Sequence, residues 1–442
     1  METLIGAGAR AAADASISRR GLIRTGVAAG VVAAIGPRDA FAADAEAKLK
    51  VGFVSPRTGA LAGFGETDGY VLELVRKALA GGLKVGDKTY AVDVLDRDTQ
   101  SDPARAGQLA KTLINSDKVD LMLAVSTPET INPVADACEA AGVPCLSTVM
   151  PWEAWYFGRG AKPGQPSPFK WTYHFGFGGG EFFKTYVSQW NLISTNKKVG
   201  VLYPNDADGN AIRENLAPAL AKGGFTIIDP GPYEDGTTDF SAQIAKFKAE
   251  KCEIFNTFPI PPDFAAFWRQ AAQQGYTKMV KIAQIAKTGL FPSGVEALGS
   301  LGFNLASAAY WHKAFPYKSP LTGVSGVELA DGYEKASGKQ WTQQLGASMS
   351  LFDAGFAALT ASGAPSDKPA VAKALSTLKT MTMIGKVDFT SGPVPNVSPG
   401  PIVGTQWVKA PAGSKFKLAY PVTDNATDPN VPVSAKLIPF NG

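Results

Sequence analysis

The chain has 442 residues, of which 45% are hydrophobic and 19% charged, and its formal net charge is +4 at pH 7. This length exceeds the ~250–300 residues at which a single hydrophobic core stops growing, so two domains are expected. The nearly neutral charge and the lack of a basic patch argue against a nucleic-acid partner. After residue 42 no apolar run reaches the ~18 residues that would predict a membrane span.

Residues 18–42 carry the pattern of a twin-arginine export signal. Arg19 and Arg20 precede an apolar run over residues 25–35, and the segment ends in Ala42 with the small-x-small pattern that a signal peptidase accepts. The alternative, a membrane anchor, needs ~20 apolar residues, and the run is shorter. We expect cleavage after Ala42, which leaves a net charge of +2 and no cysteine near the new terminus to accept lipid. A freely diffusing protein in the periplasm of a Gram-negative bacterium is therefore predicted.

Residues that carry metal-binding or nucleophilic chemistry are few. The histidines are His174 and His312, and the cysteines are Cys138, Cys145 and Cys252. They show no metal-ligand spacing, catalytic triad or nucleophile elbow, so we expect no metal site and no cofactor, and an enzyme has little support. Cys138 and Cys145 have two interpretations, a disulfide in an oxidising compartment or two small buried hydrophobic side chains.

The predicted elements alternate between strand and helix in two successive series. Strands are predicted at 49–55, 91–95, 119–125, 144–148, 198–203, 225–228, 253–258 and 279–285, and helices at 67–79, 102–114, 133–141, 210–222, 240–249, 262–274, 329–336, 348–362 and 368–378. Such alternation is typical of an α/β fold with a parallel sheet covered by helices. Ligands of these sheets bind beyond the carboxyl ends of the strands, so the candidate ligand loops are 55–65, 126–132, 148–157 and 203–210.

Short motifs follow one another in a distinctive order along the mature chain. They occupy residues 50–65, 126–135, 142–147, 205–209, 268–275 and 352–354. In this order they resemble the solute-binding proteins of branched-chain-amino-acid-type (Leu/Ile/Val-binding-like) ABC transporters. The resemblance implies a type I periplasmic binding fold, in which two lobes, each a mostly parallel sheet flanked by helices, are joined by three hinge crossings and close on a small solute.

The same resemblance implies where the lobes divide and which partners they serve. We place the crossings near 171–175, 282–285 and 391–395. The first lobe then comprises 43–170 and 284–392, and the second 171–283 and 393–442. The implied partners are a small-molecule solute and the membrane subunits of an ABC permease, with the binding protein itself monomeric.

In amino-acid-binding members of this family, hydroxyls and backbone amides of the first lobe hold the ligand carboxylate. The matching positions here are Ser126, Thr127, Thr148 and Val149, and Phe64 stands where other members have a tyrosine that closes the pocket. The carboxylate-binding positions are thus retained, while Phe64 makes the pocket more apolar.

The second lobe departs from the family where an acidic residue should meet the ligand ammonium. Residues 283–287 contain no acid and end in Lys287. Because a buried ammonium without a counter-charge costs several kcal/mol, an α-amino acid is disfavoured unless Asp206, Asp208 or Glu129 supplies the charge. Asp206 and Asp208 can equally form a turn and a helix cap before Asn210. Lys287 is either the partner of a carboxylate or phenolate ligand or a solvent-facing lysine.

Aromatic residues cluster in the predicted loop 151–157, where Trp152 and its neighbours can stack on a flat ligand, seal the cleft, or pack in the core. The second lobe offers an opposing wall at Phe258, Phe264 and Trp268, and Ile260 beside them completes the candidate ligand-binding residues. The Gly-rich helix start at 176–180 is open to two interpretations, an anion site or a capping turn.

The function predicted from these patterns is that of the substrate-binding component of an ABC importer, without catalytic activity. The preferred solute is a small carboxylate-bearing molecule, an aromatic or apolar acid. Branched-chain amino acids and small amides are the alternatives. A secreted α/β hydrolase using Asp206 or Glu129, and a signalling receptor domain of the same fold, have less support.

Overall fold

The computed structural model describes residues 48–441, so the predicted export signal lies outside the described residues. The strands are β1 (Leu49–Ser55), β2 (Leu83–Val85), β3 (Lys88–Tyr90), β4 (Val92–Asp98), β5 (Leu121–Val125), β6 (Cys145–Thr148), β7 (Thr172–Gly176), β8 (Lys198–Leu202), β9 (Thr226–Ile228), β10 (Ile254–Thr257), β11 (Ile282–Ile285), β12 (Leu305–Ala309), β13 (Lys379–Thr382), β14 (Gly385–Asp388), β15 (Val397–Pro399), β16 (Val403–Lys409), β17 (Leu418–Ala419) and β18 (Val422–Asp424).

The helices lie between these strands. They are α1 (Asp68–Ala78), α2 (Pro103–Asn115), α3 (Pro128–Ala141), α4 (Trp152–Tyr156), α5 (Gly179–Trp190), α6 (Ala207–Lys222), α7 (Ser241–Ala249), α8 (Pro261–Gln273), α9 (Pro292–Glu296), α10 (Gly326–Ser337), α11 (Gln344–Ala361) and α12 (Lys368–Ser376). Three 3-10 turns lie at Ala62–Phe64, Lys287–Leu290 and Gly299–Gly302.

The first sheet is wholly parallel and has the order β15-β7-β6-β5-β1-β4. Its central strand β5 is buried along its whole length, as expected where helices cover both faces. Helices α2 and α3 bury Leu113 and Ile131 in the core on one face. On the other face, the ring of Phe352 in α11 lies 5.1 Å from that of Phe53 in β1.

The second sheet repeats this plan with a different edge. Its order is β17-β16-β12-β11-β10-β8-β9, in which β8 to β12 are parallel and β16 is antiparallel to β12. Strand β18 also pairs with β16. The core on one face is aromatic, since Phe255 of β10 stacks on Phe267 and Trp268 of α8 with ring centroids 4.8 and 5.4 Å away. Trp268 is therefore core, one of the two alternatives for a helical tryptophan.

The predicted fold class is confirmed, but the sheets divide the chain at positions that differ from the predicted ones. Strands β7 and β15 belong to the first sheet and β12 to the second, whereas the predicted boundaries put each of them in the other lobe. Each is a short, buried, extended segment that fits either sheet by its pattern, so the pairing partner decides its place. We therefore use "first lobe" for residues 48–176 and 310–399 and "second lobe" for 177–309 and 400–441.

Two predicted helices begin earlier than expected. Helix α3 begins at Pro128 rather than at residue 133, because Thr127 takes an extended N-cap conformation and Pro128 occupies the first helical position. Helix α6 begins at Ala207 because the side chain of Asp206 accepts a hydrogen bond from the Gly209 amide at 2.6 Å. The helix cap predicted for Asp206 is thus confirmed. Both starts point into the space between the lobes.

The described residues bear on two further expectations. None of their helices is both long and apolar enough to cross a membrane. Cys138, Cys145 and Cys252 are buried, free thiols, which agrees with the interpretation as small hydrophobic side chains rather than with a disulfide. Burial raises the pKa of the Cys138 thiol further above its usual range.

Candidate functional site

A cavity of about 540 Å³ lies between the two lobes. Residues from both lobes line it: Phe64, Thr127, Val149, Pro151, Phe177, Phe182, Tyr186, Asp208, Phe258, Ala286, Lys287, Leu290, Ala308, Tyr310 and Ile402. Most of these side chains are apolar or aromatic, so the few polar groups determine how a ligand is oriented.

The first-lobe end of the cavity is built from the loops that follow β5 and β6. Thr127 and Val149 line the cavity here, with the buried side chain of Ser126 next to them in sequence. Ser126 and Val149 have positive φ angles, 133° and 78°, which L-residues adopt only where the surrounding structure enforces them. The buried hydroxyls of Ser126 and Thr127 have no hydrogen-bond partner among the described residues. This end therefore offers the uncharged Thr127 hydroxyl and the start of helix α3 to a polar ligand group.

The second-lobe end is charged. The Lys287 ammonium lies 2.9 Å from an Asp206 carboxylate oxygen and 3.0 Å from one of Asp208. The Lys287 side chain is only 9% exposed, so the interpretation as a solvent-facing lysine is wrong. The second carboxylate oxygen of Asp208 is buried without a partner among the described residues.

Burial and mutual charge interactions shift the pKa values at this end. Burial opposes the charge on Lys287, but the carboxylates of Asp208, Asp206 and Glu129 outweigh it and raise the lysine pKa. Burial raises the pKa of Asp208 to about 7, with Lys287 acting against this and Glu129 and Asp206 adding to it. The lysine thus remains an ammonium, already matched by two carboxylates at contact distance.

Aromatic rings form the walls between the two ends. Phe177 stacks on Tyr310 with ring centroids 5.3 Å apart, and Phe182 meets Phe258 edge to face at 5.3 Å. Tyr186 adds a buried phenol hydroxyl, whose neighbours include the side chains of Asn256 and Gln284. An enclosed space of this kind favours a ligand with a flat or branched apolar body.

Half of the ten predicted ligand-binding residues line this cavity: Phe64, Thr127, Val149, Asp208 and Lys287. Asp206 reaches it only through its ion pair with Lys287. Thr148 lines an adjoining cavity of about 230 Å³ toward the hinge, and Ile260 lines another adjoining one of about 500 Å³. Ser126 and Trp152 line none of these cavities.

The aromatic segment 151–157 is mainly a packing element. It forms the short helix α4 instead of a loop, and Trp155 and Tyr156 are buried in the first-lobe core. Trp155 stacks on His174 with ring centroids 5.5 Å apart. Pro151 alone of this segment lines the cavity. Phe264 is likewise fully buried in the second-lobe core.

The Gly-rich start of α5 is capped by the carboxylates of the protein itself. The Gly178 amide donates to Glu181 at 2.9 Å, and the Gly179 amide donates to Glu153 of the first lobe at 2.8 Å. Burial raises the pKa of Glu153 to about 7. The capping-turn interpretation therefore describes this helix start, and the anion site does not.

Several lining residues were not predicted: Phe177, Phe182, Tyr186, Ala286, Leu290, Ala308, Tyr310 and Ile402. Phe177 and Tyr310 follow directly on strands that were placed in the wrong lobe or not predicted. Phe182 and Tyr186 are four residues apart on α5, a spacing that puts both on one helix face and could have indicated a shared wall.

The described residues include no group of three or more His, Cys, Asp or Glu side chains arranged to hold a metal ion. The Asp206–Lys287–Asp208 cluster contains its own cation, which occupies the position a metal would take between the carboxylates.

Comparison with known proteins agrees with the fold. A curated relative, the Leu/Ile/Val-binding protein homolog 3 of Brucella melitensis, is 25% identical over 363 residues, covering 79% of this chain and 89% of that protein. A solute-binding protein of an ABC transporter from Rhodopseudomonas palustris, solved with 3,4-dihydroxybenzoic acid, has a TM-score of 0.68 at 19% identity, covering 86% of this chain and 99% of that one.

A second solved structure is the branched-chain amino acid transporter substrate-binding protein LivJ from Streptococcus pneumoniae, in complex with isoleucine. It has a TM-score of 0.63 at 17% identity and covers 86% of this chain and 100% of that one. The family model described as periplasmic binding protein matches residues 48–399. Since this match spans most of the chain, the protein belongs to the periplasmic binding protein family.

Proposed function

We propose that this protein is the substrate-binding component of an ABC importer, and that it captures a small carboxylate-bearing solute with an aromatic or apolar body. The observation that carries the proposal is the enclosed aromatic cavity between the lobes, with the unpartnered Thr127 hydroxyl at its first-lobe end. A ligand that contacts both lobes favours the closed arrangement, which a permease can then distinguish from the open one. No catalytic step is part of this role.

The ligand carboxylate is assigned to the first-lobe end and not to Lys287. Two carboxylates already lie within 3.0 Å of the lysine ammonium, so a third would be repelled in a poorly screened site. At the other end, the Thr127 hydroxyl and the positive end of the α3 dipole are suited to an anion. This revises the direct role predicted for Lys287 and keeps the one predicted for Thr127 and Val149.

The apolar body of the solute fits between the aromatic walls. Phe177, Phe182 and Phe258 present ring faces and edges without a polar group. The related protein from Rhodopseudomonas palustris was solved with a hydroxylated benzoic acid, which has this combination of ring and carboxylate. The far end of such a ligand would meet the Tyr186 hydroxyl or Asp208.

A branched-chain amino acid is the second candidate, favoured by the unpartnered oxygen of Asp208. The cluster of Asp206, Asp208 and Glu129 with one lysine carries more negative than positive charge when its carboxylates are ionised. It could therefore serve as the counter-charge for a ligand ammonium group. The sequence disfavoured an α-amino acid unless one of these carboxylates supplied that charge.

Calorimetry with matched probes separates these candidates. 4-Hydroxybenzoate and 4-hydroxybenzamide differ in the carboxylate, whereas leucine, leucinamide and 4-methylpentanoate differ in either the carboxylate or the ammonium group. We expect each acid to bind at least tenfold more tightly than its amide. Preference for the amides would contradict the carboxylate assignment, and leucine binding tenfold better than 4-methylpentanoate would favour the amino acid. Consumption of any probe would support the hydrolase alternative instead.

We also propose that the protein reaches the periplasm of a Gram-negative cell through the twin-arginine route, with cleavage after Ala42. The support is the sequence pattern around Arg19 and Arg20. Replacing both arginines by lysine should leave the uncleaved chain in the cytoplasm, as judged by fractionation and mass. Normal export of that variant would overturn this route.

A further inference from the structure

A second cavity adjoins the ligand cavity at the side where residues 60–64 face the second lobe. It has a volume of about 500 Å³, and its lining includes Gly63, Phe64, Ile260, Phe291 and Ser293. Phe64 lines both cavities, so its ring stands between them. We call the ligand cavity the inner cavity and this one the outer cavity.

Phe64 does not form this boundary alone. Its ring meets that of Phe291 edge to face, with the ring centroids 5.1 Å apart and the planes at 81°. Phe64 belongs to the first lobe and Phe291 to the second, and both are nearly buried, at 4% and 5% exposure. The contact therefore spans the cleft between the lobes.

The neighbours of Phe291 show that its position is closely defined. Leu290 lines the inner cavity, whereas Phe291, the next residue, lines the outer one. A Cβ atom on Gly63 would lie 2.9 Å from the Phe291 ring, closer than packed atoms allow. Glycine at position 63 thus provides the space in which the Phe291 ring packs against the first lobe.

We propose that the Phe64–Phe291 pair is a partition that limits the length of the bound solute, with Phe291 as its specificity-determining residue in the second lobe. The inference rests on the proposed function, since it concerns the solute of the same cleft. With both rings in place, a solute must end within the inner cavity. Without one ring the two cavities join, and a solute longer by one aromatic ring extends toward Ile260 and Ser293.

A simpler role for the pair is to hold the lobes together. The two roles predict different results, because loss of a contact that holds the lobes together lowers the affinity for every solute by a similar factor. Loss of a partition instead changes the ratio of long-solute to short-solute affinity. The ratio is therefore the quantity to measure.

The test uses four probes in calorimetry: benzoate and biphenyl-4-carboxylate as one short and long pair, and leucine and 4-phenylphenylalanine as the other. The proteins are the wild type, Phe291→Ala, Phe64→Ala and Phe303→Ala. Phe303 is a matched control because it follows Phe291 in the same connection between β11 and β12 and lines neither cavity. Circular dichroism checks that each variant is folded, and Phe291→Leu replaces Phe291→Ala if the latter is not.

In the pair whose short member binds the wild type, we expect Phe291→Ala and Phe64→Ala to raise the long-to-short affinity ratio more than tenfold. Phe303→Ala should leave that ratio unchanged. If a short probe binds but neither Phe291→Ala nor Phe64→Ala changes the long-to-short affinity ratio, the partition is overturned and the proposed function stands. If the cavity variants bind a long probe while the wild type binds neither short probe, the partition is supported and the proposed solute class is contradicted. Failure of all four probes on every protein would overturn both.

Discussion

The two ends of the inner cavity meet a ligand with different chemistry. At the first-lobe end, Thr127 and Val149 present an uncharged hydroxyl and a conformationally strained backbone. At the second-lobe end, Lys287 and Asp208 form a buried ion pair, in which each charge is already compensated by the other. Glu129 in the first turn of α3 interacts electrostatically with this pair. We therefore assign a ligand anion to the Thr127 hydroxyl at the first end.

The difference also explains which end the sequence describes well. The first-lobe groups lie next to each other in the chain, directly after strands that the apolar pattern locates. The second-lobe contact joins Lys287 to Asp206 across 81 residues, and no local pattern records that pairing. Lys287 was therefore predicted to contact a ligand, because its pairing with Asp206 cannot be recognised from the local sequence.

The largest expected effect comes from removing the cation of the second-lobe cluster. Lys287→Ala leaves buried carboxylates without a partner and should reduce the free energy of unfolding by ~3–5 kcal/mol. Lys281→Ala is a matched control in the same segment, since its ion pair with Glu253 at 3.1 Å is partly exposed and worth ~0–1 kcal/mol. Urea unfolding of both variants measures the difference. Unchanged stability of Lys287→Ala, together with a tenfold loss of acid binding, would restore the direct ligand role.

The first-lobe end is tested by an isosteric change. Thr127→Val removes a hydroxyl that has no partner among the described residues, so the stability of the protein should hold while carboxylate affinity falls by ~1.5–3 kcal/mol. Calorimetry with 4-hydroxybenzoate and leucine measures this loss. Thr130→Val, at a buried threonine one turn into α3, is the control and should bind as the wild type does. Equal affinities in both variants would remove Thr127 from the site.

The pH dependence of stability should distinguish the two ends, because the titrating group lies at the second. The pKa of Asp208 is raised by burial from 3.8 to about 7, so the folded protein binds more protons than the unfolded chain between these values. Stability from this group is therefore greatest at acid pH and falls as the pH rises toward 7. Asp208→Asn should lessen the loss between pH 5 and pH 8 by ~1.4 kcal/mol or more. Identical losses in both proteins would contradict the raised pKa.

The smallest expected effect concerns Trp152, which lines neither end. Its indole lies so close to Gly178 that a Cβ atom there would clash with it, and Gly178 is the second residue of the second lobe. Trp152→Ala should change affinity by only ~0.5 kcal/mol but reduce the fluorescence response to ligand, because the indole reports lobe movement. Trp171→Phe, at a partly exposed tryptophan of the first lobe, should retain that response. A tenfold loss of affinity in Trp152→Ala would place this residue in the site.

Local pattern was sufficient for most of the fold. Alternating apolar runs and helix starts located β1, β4, β5, β6 and β8 to β11, and the fold class predicted from them is confirmed. It failed at β7, β12 and β15, which are short and buried on both faces. Their sequences are compatible with either sheet, so the pairing partner and not the residue pattern places them.

The sequence by itself determined the α/β alternation, the strand ends that border the inner cavity, and the Thr127 and Val149 positions there. Those features depend on residues within one or two turns of each other. The tertiary structure decided that Lys287 pairs with Asp206 and Asp208, that Trp155 and Tyr156 pack in the core, and that Phe64 meets Phe291 across the cleft. Each of these depends on a contact between distant segments, which becomes specific only when the two sheets have formed and the lobes face each other.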